Sequence, residues 1–410
     1  MTEGPLSVDT LVERIVSSLA PLRDFPMPLT EVLGMPVAED VVAEVSLPPF
    51  DNSAMDGYAV RAADVASASP EAPVHLPVVG EISAGRAAHL ALSPGTAVKI
   101  MTGAPVPAGA DAVVPYEWTD RGVARVRIER AADLGANIRR AGEAVRSGDL
   151  VVEHGTVLGP RHLGLLASVG RATVRSRPRP RVVVISTGSE LRDPGTPLGH
   201  DSIYDGNSYL LAAAARQAGA TVYRVGIVPD DVRSFTEALS DQLVRADLVI
   251  TSGGVSEGDY DVVKEALRGL GTVWFGQVAM QPGKPQGFGV VGEDEVPIFC
   301  LPGNPVSAYV SFETFVLPAL RTLMGRTPAS RPPRRARLTD PITSTVGRRQ
   351  MVRARYGTDR GGAFVTPVGG HGSHMIGDLA SANALVVVDE ESSGVSAGDM
   401  VQVLCLDEDF

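Results

Sequence analysis

The stretch RVVVISTGSEL (residues 181–191) decides the fold. Residues 181–185 make a β-type apolar run, and residues 186–191 turn abruptly to hydroxyls, glycine and acid. Two further segments repeat the design: 247–250 runs into TSGGVSEGDYD (251–261), and 296–300 runs into LPGNPVS (301–307). In a parallel sheet the carboxyl ends of the strands lie along one edge, so these loops are expected to converge on one crevice. Each mixes glycine with hydroxyl or amide residues, which implies close backbone approach and free N–H donors. A fourth segment, QPGKPQG (281–287), reads as a loop that holds a lysine between prolines. Together the four point to a phosphorylated or otherwise anionic ligand.

Around this centre, strand-like segments (182–186, 221–228, 247–252, 272–279, 288–291, 296–301) alternate with helix-like ones (208–217, 232–245, 261–270, 306–324). Such alternation predicts a mainly parallel sheet covered on both faces, over 177–326. Proline-broken arginine runs at 175–181 and 326–335 read as linkers. Residues 50–140 carry short β-type runs (76–82, 97–101, 123–128) broken by Gly and Pro, which predicts an inserted, mostly-β domain. Ser7 is placed to cap a helix with Val8, Leu11, Val12, Ile15, Val16 and Leu19 on one face. A second helix is expected at 160–169, with proline in its first turn and Gly170 beyond its end. The two helices are expected to pack together, so that 1–49 and 141–176 form a discontinuous helical and extended subdomain. Residues 327–410 read as a C-terminal, β-barrel-like domain with a strand pair near 384–388 and 400–404. The fold class is therefore multidomain α/β with a central mainly parallel sandwich.

A chain of 410 residues exceeds what a single core supports, since cores stop growing at roughly 250–300 residues. Hydrophobic residues at 44% and charged ones at 21% match a soluble globular protein. No apolar run approaches a membrane span, and the amino terminus (MTEGPLSVD) lacks the basic start of a secretory signal, so a cytoplasmic location is expected. Cys300 and Cys405 have neither disulfide-framework nor metal-ligand spacing. A net charge of −11 argues against a nucleic-acid partner, so an anionic ligand needs a local basic site. Only three of the 37 basic residues are lysine, and Lys99 and Lys284 fall within candidate motifs.

Eight motifs in order resemble a known family: FDNSAMDGYAVR (50–61), KIMTGAPVP (99–107), NIRRAGE (137–143), STGSEL (186–191), SGGVS (252–256), PGKP (282–285), LPGNPVSA (301–308) and GHGSH (370–374). The family is the MoeA-type molybdopterin molybdenumtransferases, to which the E domain of gephyrin belongs. Any one motif is weak, but eight at compatible spacing cover nearly the whole chain. The resemblance implies four subdomains, a homodimer, and insertion of molybdenum from molybdate into adenylylated molybdopterin with Mg²⁺, releasing AMP and molybdenum cofactor. A molybdopterin adenylyltransferase is then a candidate partner. The chemistry suits the loops, because backbone N–H groups bind phosphate and a lysine point charge suits a tetrahedral dianion.

Residue by residue, the resemblance makes Lys284 a molybdate or phosphate ligand on a turn that Pro285 stiffens. Pro302, Gly303, Asn304 and Ser307 form the adjoining turn, with Ser307 as an oxyanion donor. Gly188, Ser252, Gly253 and Gly254 would line the substrate crevice. Glu190 and Asp261 are the preferred catalytic or metal carboxylates, Asp230 is supportive, and Asp259 reads as solvated; converging acids beside phosphate need a cation. Asp205 and Asn207, which local reading makes helix caps, become pterin contacts. Asp56 and Thr102 match cleft residues that reach across from the second subunit, and Arg353 and Ser373 match residues near molybdate. Two positions depart from the family: Gln281 stands where many relatives carry a second lysine, and Ala144 where many carry an acid. Two other readings stand beside the insertase. One is a molybdopterin adenylyltransferase on a related α/β domain, and the other a non-catalytic scaffold of the gephyrin type.

Overall fold

The structure, a computed structural model, describes residues 4–85, 90–255, 261–269 and 271–410. It divides into two units, residues 26–33 with 37–175 and residues 1–25 with 34–36 and 176–410.

In the first unit, five strands run in the order Ala112–Pro115, Gly57–Val60, Ala97–Ile100, Val74–Ile82, Arg125–Ile128. Tyr58, Val60, Leu76, Val114, Val126 and Ile128 fill one side of this curled sheet, and Ala59, Ile82, Val98, Ile100 and Val113 fill the other. Burial on both sides leaves little polar alternation to read in its central strands. The helix Pro160–Ser168 starts at its proline, and Gly170, at φ +87°, ends it in the left-handed region.

The second unit is built on six strands: β1 (Arg181–Ser186), β2 (Thr221–Arg224), β3 (Leu248–Ser252), β4 (Val273–Gln277), β5 (Pro285–Val291) and β6 (Val296–Leu301). Their order is β2-β1-β3-β6-β5-β4, with β2, β1, β3 and β6 parallel and β5 antiparallel to both neighbours. Alternate residues of β1 enter opposite cores. Val182 and Val184 pack with Leu211, Ala212 and Ala215, whereas Val183 and Ile185 pack with Phe235, Leu239, Val263 and Leu267. The chain leaves β1 for one side and returns to β3 on the other, so the β1/β3 junction is the switch point of the sheet, where such folds open a crevice.

Helix α1 (Val8–Ser18) is capped by Ser7, whose side chain accepts from the Thr10 N–H. Its buried face of Val8, Leu11 and Ile15 lies in the central core with Phe312, Phe315 and Leu320. The 160–169 helix expected to share its subdomain belongs to the first unit, whereas α1 belongs to the second. Periodicity shows that a helix has an apolar face and says nothing of which distant surface covers it. Leu6, just before α1, pairs with Val278: its N–H reaches the Gln277 carbonyl at 2.9 Å and its carbonyl accepts from Ala279 at 2.7 Å. The expected single helix over 306–324 is interrupted. It runs as Pro305–Ser311, a wider π turn at Phe312–Val316 and Leu317–Leu323, because Pro318 has no N–H to continue the ladder.

The C-terminal strands β7 (Arg334–Leu338), β8 (Arg349–Asp359), β9 (Gly362–Pro367), β10 (Ala384–Val388) and β11 (Met400–Cys405) close a ring in the order β7-β9-β8-β10-β11. Ala336, Leu338, Ala354, Val365, Val386 and Val403 fill this small barrel. Cys300 and Cys405 are buried free thiols.

Candidate active site

The carboxyl ends of β1, β3 and β6 do meet. Ser186 and Ser252 sit side by side in register on β1 and β3. Both lie on the face covered by α2 (Asn207–Gln217), whose first residue reaches Ser252. The Asn207 amide nitrogen donates to Ser252 Oγ at 2.8 Å and to the Gly303 carbonyl at 2.6 Å, tying three segments together. Asp205 stays in the cap role: its carboxylate accepts from the Ser208 N–H at 3.0 Å and from the Ser208 hydroxyl at 2.6 Å.

Two adjoining clefts open here. One, of about 250 Å³, has polar residues Ser186, Thr187, Asn207 and Ser252 against apolar Leu191, Ile203, Tyr204, Pro305 and Ile376. The other, of about 490 Å³, is lined by Gly188, Glu190, Asp230, Asp231, Gly254, Asp261 and Glu265. They share Thr187, Glu190 and Gly253. The pair is thus a bent trough with an apolar-walled arm and an acidic arm.

Four of the expected N–H donors are taken up within the protein. Gly253 donates to the Leu301 carbonyl, Ser189 to Asp230, Gly188 to the Val228 carbonyl and Val306 to the Ser373 carbonyl. The loops meet tightly because their backbone groups satisfy one another. Glu190, Asp230 and Asp261 line the same arm, yet among the described residues no three His, Cys, Asp or Glu side chains form a metal-holding group. Asp261 caps α3 (Val262–Arg268) by accepting from the Lys264 N–H at 3.1 Å. Behind it, burial pushes the Cys300 thiol up to about 12, so it stays neutral. Asp259 lies outside the described residues.

The QPGKPQG segment is largely extended rather than a loop. Residues 280–281 pair in parallel with Arg349 and Gln350, and β5 begins at Pro285. Because β5 is antiparallel to β6, its beginning lies at the edge where β6 ends, which puts the turn holding Lys284 beside the LPGNPVS turn. Lys284 is half-buried, and its carbonyl accepts from Val278. Buried Gln286 pins the turn by donating to the Gly283 carbonyl and to Ser311 Oγ, each at 2.6 Å. This positioning role was missed because a glutamine between proline and glycine reads as loop filler. Ser307 is buried in the first turn of the helix that starts at Pro305.

The GHGSH loop closes against this turn. Asn304 donates to Ser373 Oγ at 2.9 Å. Arg353, on β8, is spent on the loop itself, donating to the carbonyls of Gly370, Gly372 and Met375. Burial lowers its pKa, with Asp378 opposing the shift. In this structure Arg353 positions the loop that carries Ser373 and the wall residue Ile376. The walls themselves were not foreseen, since isolated apolar residues in polar loops carry no periodic signal.

Asp56 and Thr102 belong to the other unit, where they meet: Asp56 Oδ1 accepts from the Thr102 N–H at 2.7 Å and its hydroxyl at 2.8 Å. Those bonds, the backbone one foremost, hold the Asp56 carboxyl below its ordinary range.

The comparisons with known proteins agree along the full chain. Residues 6–170 match the MoeA N-terminal region (domain I and II), 183–322 the probable molybdopterin binding domain and 335–406 the MoeA C-terminal region (domain IV). Molybdopterin molybdenumtransferase 2 of Mycobacterium tuberculosis is 50% identical over 398 residues, covering 95% of this chain and 97% of that protein. Molybdopterin molybdenumtransferase 1 of the same organism is 42% identical over 98% of this chain and 99% of that protein. A solved structure of a molybdopterin biosynthesis MoeA protein from Pyrococcus horikosii superposes with a TM-score of 0.84 at 32% identity, covering 99% of this chain and 100% of that one. With three consecutive domain matches, full-length relatives and the same architecture, the chain belongs to the MoeA family.

Proposed function

We propose that this protein is a transferase of molybdenum cofactor biosynthesis, a molybdenum insertase that moves molybdenum from molybdate to adenylylated molybdopterin and releases AMP. The observation that carries this reading is the bent trough at the β1/β3 switch point. Its apolar-walled arm suits a flat heterocycle. Its acidic arm suits a phosphoanhydride accompanied by a cation, and the Lys284 turn beside LPGNPVS suits an oxyanion. The carboxylates fit a cation that takes one or two protein ligands and completes its shell from substrate oxygens, as Mg²⁺ does. Asp261 and Glu190 would hold it, and when bound it would offset charge on the phosphate oxygens. The chain's own residues mainly orient: Asn207 locks β3 to the 303 turn, and Arg353 and Asn304 fix the loop bearing Ser373. Catalysis is then positioning and charge stabilisation. The test is AMP release from adenylylated molybdopterin with and without molybdate. Molybdate-dependent release supports the insertase; adenylylation of molybdopterin from ATP without AMP release sinks it.

Lys284→Ala is expected to raise the molybdate needed for half-maximal insertion on the order of tenfold, because a nearby charge strengthens oxyanion binding by about 1–3 kcal/mol. Gln281→Lys should lower it. A molybdate titration at fixed ionic strength checks both, and an unchanged Gln281→Lys curve removes position 281 from the oxyanion site.

The family resemblance also supports a homodimer in which Asp56 and Thr102 of one copy serve the trough of the other. Asp56→Ala and Asp261→Asn, each nearly inactive alone, should regain up to about a quarter of wild-type activity when refolded together, since mixed dimers hold one intact site. A mixture that stays inactive counts against the shared site.

A further inference from the structure

Away from the trough, the last turn of α2 faces a much smaller cavity of about 40 Å³. Its lining includes Ala214, Gln217 and Leu317 together with three arginines, Arg321, Arg326 and Arg331. Arg331 is fully engaged: Nε donates to Glu313 at 3.1 Å, and Nη1 donates to the carbonyls of Cys405 and Glu408. The other two are not. Arg321 is 4% exposed, yet among the described residues only its Nε has an acceptor, the Pro328 carbonyl at 2.8 Å. Half-buried Arg326 donates from Nη2 to the Gly34 carbonyl, and its Nε is buried without a partner. Among the described residues neither guanidinium makes an ion pair, for Glu313 is taken by Arg331 and Glu408 by Arg334. Asp409 lies near enough to favour the charge on both, but pairs with neither. Burial, then the neighbouring Arg326 and Arg331, bring the Arg321 pKa down to about 10, so it is still charged at neutral pH. The Phe410 ring covers Arg321 with its centroid at 3.9 Å, which shields the cation from water without replacing a counterion.

Burying an unpaired charge is costly, and two like charges around one cavity add to that cost. We propose that Arg321 and Arg326 hold a small tetrahedral oxyanion of the phosphate class. A planar guanidinium can donate to two oxygens of such an anion at once. A cavity of this size takes a few waters or one such ion, and excludes a nucleotide. The anion would tie the end of α2 to residues 317–331 and 408–410. None of Lys284, Ser307 and Ser373 lines this cavity. Helix α2 has 11 residues, so at roughly 1.5 Å each the site lies about 16 Å from the Asn207 end that meets the trough. It is a separate site, whatever reaction the trough performs.

The probe is labelled inorganic phosphate, dialysed to equilibrium against the full-length protein in chloride buffer at fixed ionic strength. Lys284→Ala, which weakens the oxyanion turn of the trough, should still bind one phosphate per chain. In that background Arg321→Gln and Arg326→Gln should each weaken the phosphate about tenfold or more, the scale of losing a hydrogen bond to a charged group. Melting temperatures give a second reading. Phosphate at ten times its dissociation constant should raise the melting temperature of Lys284→Ala by about 2–4 °C over chloride. Phosphate also strengthens burial as a salt. That part survives in the arginine variants, so the specific shift is what they lose. The proposal is overturned if Lys284→Ala binds no phosphate at millimolar concentration, or if the arginine variants bind it as Lys284→Ala does. If Arg321→Gln fails to fold, Arg326→Gln decides alone, since its side chain is only half-buried.

Discussion

Asp261→Asn is expected to cut molybdate-dependent AMP release by about a thousandfold while the protein stays folded. The substitution isolates charge from structure. Asp261 accepts from the Lys264 N–H at the start of α3, and asparagine caps helices as well as aspartate does. What is lost is a negative charge on a buried residue that lines the acidic arm of the trough. The melting temperature should therefore be close to wild type while turnover collapses. A variant with near-normal turnover would take Asp261 out of the mechanism. A variant that melts several degrees lower would show that the cap, not the charge, was its main contribution.

Gly254→Ala is expected to cost about 2–5 kcal/mol of stability. Gly254 sits at φ +76°, where a side chain costs roughly 1–2 kcal/mol. The new Cβ would also stand 2.4 Å from Val263 Cγ2, and forced overpacking typically adds about 1–3 kcal/mol. Val263 is fully buried on α3, so the clash acts on the helix that Asp261 caps. Relief of that clash must displace the start of α3, and activity should fall along with the melting temperature. The steric part is separable: Gly254→Ala should cost less in a Val263→Ala background than in the wild type. Equal costs in the two backgrounds, or an unshifted melting temperature, would refute the clash.

The same two residues show why some of the site was legible and some was not. The crevice could be read because β1, β3 and β6 are short continuous apolar runs that each end in an abrupt polar turn. Sheet handedness and switch-point rules then put those ends together. Gly57–Val60 and Ala112–Pro115 escaped notice because every residue in them is buried, which erases the alternation that marks a strand. The segment before β5 was misread for the opposite reason. Its prolines and glycines look like a loop, yet Met280–Gln281 and Pro285 onward find partners in β8 and in β4 and β6. The fate of individual N–H groups, the burial of Ser186 and the grip of Arg353 on its loop depend on contacts between distant segments. No local pattern encodes these, although the motifs mark Ser186 and the loop that Arg353 grips.

The pairing of Leu6 with Val278 has a consequence for the order of assembly. Leu6 leaves the ribosome early, while its hydrogen-bond partners Gln277 and Ala279 come much later in the chain. At about 5–20 residues per second, that segment waits on the order of tens of seconds for its partner strand. Throughout that interval the apolar face of α1 is without the central core it is destined to join. Until then the stretch around Leu6 and α1 is exposed to proteases and chaperones, and a clip between Leu6 and α1 would cut the residue that Val278 pairs with away from the helix that follows it.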